Sequence, residues 1–175
     1  MELFYDVGSP YAYLAVERFE AVVGVKPDLR PVLLGGIFKA TGRSTWGRGE
    51  ERPARMADIG ARASAAGLPP LVWPPNWPAD YLQAMRAVTW AGDDFARTAM
   101  RAAFSEGVDL SRVEVLVELG PPGLEDAIAD PAVKASLHAA TDRAVSLGVI
   151  GVPTTRVGDE LYWGDDRLEE IAKVV

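Results

Sequence analysis

Strand signals in this chain are confined to its two ends, where they flank a long helical stretch. Short strands are predicted at residues 2–7 and 29–35, on either side of a helix that runs over about 10–23. Residues 152–164 predict a hairpin of two strands, and residues 165–175 a closing helix. The order is β-α-β, then helices, then β-β-α, and the simplest topology pairs the first two strands in parallel. Residues 29–35 are apolar on both faces, so we expect them to form a central strand.

The middle of the chain, from about residue 36 to residue 129, carries little strand signal. Helices in this part and directly after it are predicted at 53–67, 79–92, 93–107, 110–120 and 130–148. Residues 69–78 (PPLVWPPNWP) hold too many prolines for a helix or a strand, and they predict an ordered loop. Asp93 and Asp130 precede helical runs and are expected to cap them.

The first strand passes into the first helix through the stretch FYDVGSPYAYLA, with Ser9 at the junction. Two explanations fit a serine at this place. Serine is a favourable N-cap, and proline, here Pro10, is a favourable first helical residue. The N-terminus of a helix is also where a protein stabilises an anion, which makes Ser9 a candidate for chemistry. The sequence leaves both explanations open.

The residue types that are missing exclude several kinds of site. The 175 residues include no cysteine, which excludes disulfides, thiolate metal sites, iron–sulfur clusters and thiol nucleophiles. The single histidine, His138, is expected on the side of a helix without a chemical role, and no metal site is expected.

Charge and hydropathy bear on the partners and on the location of the protein. The formal net charge of -7 argues against nucleic acid or an anionic membrane as a partner. No apolar run approaches the roughly 20 residues of a membrane span. The chain enters a strand at once, which leaves no room for a signal peptide, so we expect a cytoplasmic protein.

The order of elements resembles that of thioredoxin-like proteins with helices inserted in the middle. In that fold a Cys-X-X-Cys motif opens the first long helix, and here residues 9–12 read SPYA, with Ser9 and Ala12 in place of the two cysteines. A thiol–disulfide oxidoreductase is therefore excluded by chemistry. Residues 151–155 (GVPTT) match the start of the strand where the fold keeps a cis-proline beside its active site.

Four stretches together resemble one family, the 2-hydroxychromene-2-carboxylate isomerases and the closely similar kappa-class glutathione transferases. They are FYDVGSPYAYLA (4–15), GGIFKATG (35–42), WPPNW (73–77) and GVPTTRVGDELYWGDDRL (151–168). The resemblance implies an α/β thioredoxin-like fold formed by residues 1–38 and 130–175, with residues 39–129 inserted as an all-helical domain. It also implies a homodimer in which the active site lies between the two parts and binds glutathione and a small-molecule substrate.

The resemblance implies a role for each residue that matches the glutathione site of the family. Ser9 matches the serine that holds the glutathione thiolate, and Val152 matches the residue whose backbone pairs with the cysteinyl part. The segment that receives the γ-glutamyl end is matched by Trp163, Gly164, Asp165 and Asp166. The two carboxylates suit an ammonium group, and an acidic cap on the closing helix is the alternative explanation. Relatives commonly carry Asn, Gln or Ser where this chain has Asp165.

Three further residues match positions that face the substrate in the family. Lys39 matches a lysine suited to a carboxylate or an enolate, and a surface lysine after a turn is the alternative. Trp77 stands where the isomerases tend to have an aromatic residue, with a core or lid tryptophan as the alternative. Arg43 replaces an asparagine that many relatives carry. The Asn/Arg pair that helps to hold the substrate has no clear match, and Arg43 or Arg48 is the candidate to replace it.

The resemblance implies a glutathione-dependent isomerase that acts on 2-hydroxychromene-2-carboxylate or a related unsaturated 2-oxo acid. In that reaction the thiolate adds to the substrate, a bond rotates and the thiol is released unchanged. Glutathione, or another low-molecular-weight thiol, is then a cofactor. Two alternatives stay open: a kappa-like transferase that leaves the thioether in place, and a catalytically inactive binding module on the same fold.

Overall fold

The sheet of this protein has four strands, and its two halves come from opposite ends of the chain. The computed structural model describes all residues, 1–175. Strands β1 (Glu2–Tyr5), β2 (Asp28–Pro31), β3 (Thr154–Val157) and β4 (Glu160–Trp163) lie in the order β2-β1-β3-β4. β1 and β2 are parallel, as predicted, and β3 is antiparallel to both of its neighbours. The arrangement is the thioredoxin-like α/β fold that the sequence predicts.

The prediction of a central strand at residues 29–35 is wrong. β2 lies at the edge of the sheet and ends at Pro31, and the chain then turns into a helix that begins at Leu34. The Leu34 N–H donates a hydrogen bond to the Asp6 carboxylate at 2.9 Å, which satisfies one of the free donors at the start of that helix. The apolar character of the segment comes from residues that pack into the core at the helix entry, of which Val32 is fully buried.

Nine helices surround and extend the sheet. They are α1 (Pro10–Val23), α2 (Leu34–Thr41), α3 (Arg52–Ala65), α4 (Leu82–Ala91), α5 (Asp93–Glu106), α6 (Val113–Leu119), α7 (Leu124–Ala129), α8 (Pro131–Ser146) and α9 (Leu168–Ile171). Short 3-10 turns occupy Trp46–Arg48 and Asp165–Arg167. α2 and α7 were not predicted, and the closing segment 165–175 is helical only in part. None of the helices is long and apolar enough to cross a membrane.

Two of the expected helix caps are present and one is absent. The Ser9 side chain caps α1 by accepting from the Ala12 N–H at 3.2 Å. Asp130 caps α8 in the same way. Asp93 does not cap α5, because it lies inside the first turn and Gly92 takes the cap position with a φ of 83°. Its carboxylate still lies where the helix dipole favours a negative charge.

One apolar cluster of 31 buried residues runs through the sheet and the helical block alike. A pair of rings, Tyr13 of α1 and Phe104 of α5, joins the two parts with centroids 5.7 Å apart. The division of the chain at residues 39 and 130 stays a prediction, because buried apolar contacts cross it throughout.

The Glu2 carboxylate holds the outer end of the sheet together through three arginines. It lies 2.8 Å from Arg143 Nη2 on α8, 3.0 Å from Arg30 Nε on β2 and 3.3 Å from Arg156 Nη1 on β3. The hydrogen bond from Arg143 and the interactions with the other two arginines outweigh desolvation and lower the pKa of Glu2 to about 2.

We expect Glu2→Gln to lower the free energy of unfolding by about 1–2 kcal/mol at neutral pH, since solvent partly screens the arginines. Folding lowers the pKa of Glu2 from 4.5 to about 2, so its contribution is complete above pH 4.5 and is lost as the pH falls toward 2. Chemical denaturation across this range measures the effect, and the curves of the two proteins should converge at low pH. Glu20→Gln, at an exposed glutamate without an ion pair, is the control. A loss of stability that does not depend on pH contradicts the assignment.

Candidate active site

Two cavities meet at Ser9. The first, of about 310 Å³, lies beside the start of β3, and we call it the Val152 cavity. The second, of about 430 Å³, lies beside the proline-rich loop, and we call it the Trp77 cavity. Both cavities are lined by Ser9, Leu34, Phe38 and Trp46. A ligand in one cavity is therefore adjacent to a ligand in the other, with Ser9 between them.

Ser9 caps α1 and still has a free hydroxyl hydrogen. Its Oγ accepts from the Ala12 N–H at 3.2 Å, and no acceptor within the chain receives its O–H hydrogen. The residue is 5% exposed and stands at the N-terminus of a 14-residue helix. A hydroxyl donor at the N-terminus of a helix can stabilise an anion that binds beside it. The two explanations that the sequence leaves open, a helix cap and an anion site, are therefore compatible.

The Val152 cavity brings together all the residues that were expected to bind glutathione. Val152 is buried and precedes a cis peptide bond to Pro153. Its backbone N–H and C=O make no hydrogen bond within the chain, so both are available to a peptide-like ligand. Ser9 lines this cavity together with Trp163, Gly164, Asp165 and Asp166.

The two aspartates of this segment have different surroundings. The Asp165 side chain is 1% exposed, and its carboxylate lies 2.9 Å from Arg62 Nη1 and 3.5 Å from Arg18 Nη1. Burial still raises the pKa of Asp165, because desolvation outweighs the attraction of the two arginines. Asp166 is exposed and has no ion pair. Only Asp166 therefore offers a carboxylate that is free to bind an ammonium group.

Helix α3 supplies the positive charge of the Val152 cavity. Arg55 pairs with Glu51 at 2.7 Å, and Arg62 pairs with both Asp58 and Asp165 at 2.9 Å. Arg62 thus joins the helical block to the 3-10 turn after β4, whereas Arg55 pairs only with a residue at the start of its own helix. No group of three or more His, Cys, Asp or Glu side chains is placed to hold a metal ion.

Trp77 lines the Trp77 cavity and is fixed by a network of aromatic and polar contacts. It is 5% exposed, and its Nε1–H donates to the Gly8 carbonyl at 2.9 Å. The ring lies 5.0 Å from that of Trp46 and 4.7 Å from that of Trp73, measured between centroids. The indole nitrogen therefore ties the proline-rich loop directly to the turn that carries Ser9.

The other two residues expected to face the substrate lie elsewhere. Lys39 is exposed near the end of α2 and lines neither cavity. Arg43 is exposed too and lines neither cavity, and its guanidinium carbon lies 4.7 Å from the centre of the Trp163 ring. The predicted contacts of these two residues with a substrate stay predictions.

Two residues that the sequence did not single out as functional line the Trp77 cavity. Asp6 is buried, accepts from the N–H groups of Gly8 and Leu34 at 2.9 Å, and has its pKa raised to about 6 by desolvation. An acidic residue that ends an apolar strand just before Ser9 is the signal that points to it. Tyr81 has a buried hydroxyl without a hydrogen-bond partner. Its ring fills the space of a Cβ at Gly8, which would lie 2.2 Å from a ring carbon, so only glycine fits there.

Comparisons with known proteins agree on one family. The family model described as a DsbA-like thioredoxin domain matches residues 1–175. The 2-hydroxychromene-2-carboxylate isomerase of Pseudomonas sp. (strain C18) is 32% identical over 197 residues, which cover 96% of this chain and 86% of that protein. Glutathione S-transferase kappa 1 of Homo sapiens is 26% identical over 208 residues, which cover 100% of this chain and 90% of that protein. A solved 2-hydroxychromene-2-carboxylate isomerase shares the fold, with a TM-score of 0.84 and 23% identity over 99% of this chain and 92% of that one.

We expect Arg62→Ala to lower the free energy of unfolding by about 2–3 kcal/mol, because it leaves the buried Asp165 carboxylate with Arg18 alone. Arg55→Ala is the matched control on the same helix, and its exposed pair with Glu51 should contribute less than about 1 kcal/mol. The double variant Arg62→Ala/Asp165→Asn should recover part of the loss, since no buried charge is left unpaired. Chemical denaturation measures all of these stabilities. Equal losses in Arg62→Ala and Arg55→Ala would contradict the buried ion pair.

Proposed function

The chain belongs to the DsbA-like thioredoxin domain family, in the group of 2-hydroxychromene-2-carboxylate isomerases and kappa-class glutathione transferases, and we propose that it is a glutathione-dependent isomerase. The proposed substrate is 2-hydroxychromene-2-carboxylate or a related unsaturated 2-oxo acid. The observation that carries the proposal is the free hydroxyl hydrogen of Ser9 at a helix N-terminus, where the two cavities meet. We further propose a cytoplasmic homodimer that acts in the breakdown of aromatic compounds.

The residues of the Val152 cavity fit glutathione. The unpaired backbone N–H and C=O of Val152 would pair with its cysteinyl part, and the free carboxylate of Asp166 would receive the γ-glutamyl ammonium. Arg55 adds a guanidinium group to the same cavity, and because its pair with Glu51 is exposed, it is accessible to a ligand carboxylate, whereas Arg62 is held by Asp58 and Asp165. Asp165 is a structural residue in this proposal, because Arg62 and Arg18 already hold its charge.

Bound glutathione would supply a sulfur nucleophile that is recovered at the end of the reaction. Ser9 holds negative charge on that sulfur by donating its free hydroxyl hydrogen, and the N-terminus of α1 adds a partial positive charge. The Trp77 cavity receives the unsaturated acid next to this sulfur, and the indoles of Trp46 and Trp77 keep water away from it. In an isomerisation, the sulfur–carbon bond formed on addition would break again after the substrate has rotated, so Ser9 would stabilise the thiolate both as the nucleophile and as the leaving group.

A kappa-like transferase is the second candidate, since the human kappa-class relative aligns with the whole chain. The same Ser9 hydroxyl serves both reactions, so the product decides between them. An isomerase releases a product of the same mass as its substrate, whereas a transferase releases a thioether. A catalytically inactive binding module is the third candidate, and it would need no free hydroxyl donor at Ser9.

We expect the wild-type protein to convert 2-hydroxychromene-2-carboxylate only when glutathione is present, and Ser9→Ala to be more than tenfold slower. Tenfold corresponds to only about 1.4 kcal/mol of barrier, less than one charge-assisted hydrogen bond contributes. The ultraviolet absorbance of the bound thiolate, titrated against pH, should show a higher thiol pKa for glutathione in Ser9→Ala than in the wild type.

Two further variants separate the chemistry of Ser9 from its role as a helix cap. Asp130→Ala removes the cap of α8, which lines neither cavity, and should lower stability by about 0.5–2 kcal/mol without a change in the thiolate titration. Ser9→Asp keeps a cap acceptor but has no hydroxyl donor, so it should fold and lose activity. Coincident thiolate titrations of Ser9→Ala and wild type would leave Ser9 as a cap only.

We expect Asp166→Asn to weaken glutathione binding about 10- to 100-fold, which is the effect of losing one charge-assisted hydrogen bond, without loss of stability. An analogue of glutathione that lacks the γ-glutamyl amino group is the control ligand. It should bind equally to wild type and variant, because the ammonium that Asp166 recognises is absent. Titration calorimetry measures the four affinities, and an unchanged affinity for glutathione in the variant excludes Asp166 as the ammonium site.

A further inference from the structure

We infer that Trp77 is a positioning residue: through the carbonyl of Gly8, its indole N–H holds Ser9 where the serine hydroxyl reaches a bound sulfur. The inference rests on the proposed function, in which Ser9 stabilises a thiolate in the Val152 cavity. It gives Trp77 a role in the ionisation of the thiol, in addition to its place in the wall of the Trp77 cavity. The family resemblance implies only a contact with the substrate.

The peptide group between Gly8 and Ser9 is held at both of its polar atoms. Its oxygen accepts from Trp77 Nε1–H at 2.9 Å and receives no other hydrogen bond within the chain. Its N–H, which belongs to Ser9, donates to the Asp6 carbonyl at 3.0 Å. A peptide group is planar, so an anchor at the oxygen and another at the N–H fix its orientation. The backbone of Ser9 therefore starts from a fixed plane.

The side chain of Ser9 is fixed as well, and only its hydroxyl hydrogen can still rotate. The Ser9 Oγ accepts from the Ala12 N–H at 3.2 Å, at the start of α1. On the other side of the turn, the Tyr81 ring fills the space where a Cβ of Gly8 would lie. Trp77 and Tyr81 thus bring the helical block against the turn that carries Ser9, and of the two only Trp77 does so through a hydrogen bond.

Trp77 is itself held rigidly, as a residue that positions another must be. Its backbone N–H donates to the Pro74 carbonyl at 3.0 Å, and its own carbonyl accepts from Arg52 Nη2 at 2.9 Å. Its ring packs on those of Trp46 and Trp73, with centroids 5.0 and 4.7 Å away. The indole N–H therefore points at the turn from a fixed support.

Removal of the indole N–H would leave the peptide group before Ser9 with a single anchor. The Ser9 hydroxyl would then be less well aligned with the sulfur, and hydrogen bonds weaken steeply as their geometry departs from the ideal. The pKa of the thiol should rise in consequence. A tryptophan that only contacts the substrate would instead change the affinity for the acid and leave the pKa of the thiol as it is, so the two roles are separable.

The test uses the absence of cysteine from this chain. Ser9→Cys introduces a single thiol at the N-terminus of α1, and the thiolate absorbance against pH gives its pKa without any glutathione. We expect this pKa to lie below the ordinary value of about 8.5. Adding Trp77→Phe, which keeps a ring and removes the donor, should raise the pKa by about 0.5–1, the equivalent of losing one hydrogen bond.

Trp73→Phe, combined with Ser9→Cys, is the matched control from the same loop. Trp73 packs on Trp77 and lines neither cavity, and its indole nitrogen makes no hydrogen bond within the chain, so the pKa should not change. Should Trp77→Phe fail to fold, benzothienylalanine in place of Trp77 keeps the shape of the indole without the N–H and should raise the pKa equally. An unchanged pKa without the donor, or an equal rise in the control, overturns the inference.

Isomerase activity, measured with 2-hydroxychromene-2-carboxylate and glutathione, separates this inference from the proposed function. In a chain that keeps Ser9, Trp77→Phe should lower kcat about 3- to 10-fold with little change in the KM for the acid. Should wild type be inactive while the pKa of the introduced thiol depends on Trp77, the proposed function fails and the positioning role stands. Should Trp77→Phe raise the KM for the acid and leave the pKa of the thiol unchanged, the function stands and the positioning role fails.

Discussion

The carboxylate of Asp6 accepts hydrogen bonds from two backbone N–H groups, that of Gly8 in the turn before Ser9 and that of Leu34 at the start of α2. α2 in turn carries Leu34 and Phe38, which line both cavities with Ser9. One buried group therefore ties the Ser9 turn to the helix that forms walls of both cavities. Burial raises the pKa of Asp6 from 3.8 to about 6. A carboxyl group whose pKa is raised on folding stabilises the folded state less as the pH rises through this range. Holding the Ser9 turn against α2 through the Asp6 carboxylate therefore costs some stability at neutral pH.

The chemistry of the site is divided between the two parts of the chain. The sheet side supplies the Ser9 hydroxyl, the free backbone of Val152 and the carboxylate of Asp166. The helical block supplies the charges of Arg55 and Arg62 and the indole walls. A chain without cysteine cannot exchange disulfides, so the position that opens α1 retains only its ability to stabilise an anion. In the proposed function, this ability is what would hold a bound thiol as its thiolate.

Local signals in the sequence predict the structural features that depend on neighbouring residues. They fail for features that depend on contacts between residues far apart in the chain. The cap at Ser9, the helix after it and the hairpin around Gly158 are local, and the structure confirms them. α2 was missed because the apolar run before it looks like a strand, and its start depends on Asp6, which is 28 residues earlier. The pairing of Asp165 with Arg62, 103 residues apart, has no local signal either. Family resemblance placed the residues of the Val152 cavity together, but the surroundings that distinguish Asp165 from Asp166 came only from the structure.

The pairing of β1 with β3 also constrains how the protein is made. Leu3 lies opposite Thr155, so the central pair of the sheet joins segments separated by nearly the whole helical block. The ends of such a long loop meet only after much of the chain has collapsed, which is typical of slowly folding topologies. During synthesis, β1 can pair only with β2 until the hairpin at 154–163 has been made. An unpaired apolar strand edge favours aggregation, and this edge of β1 stays unpaired until β3 has been made. The Val152 cavity, which needs β3 and β4, is completed late in this process.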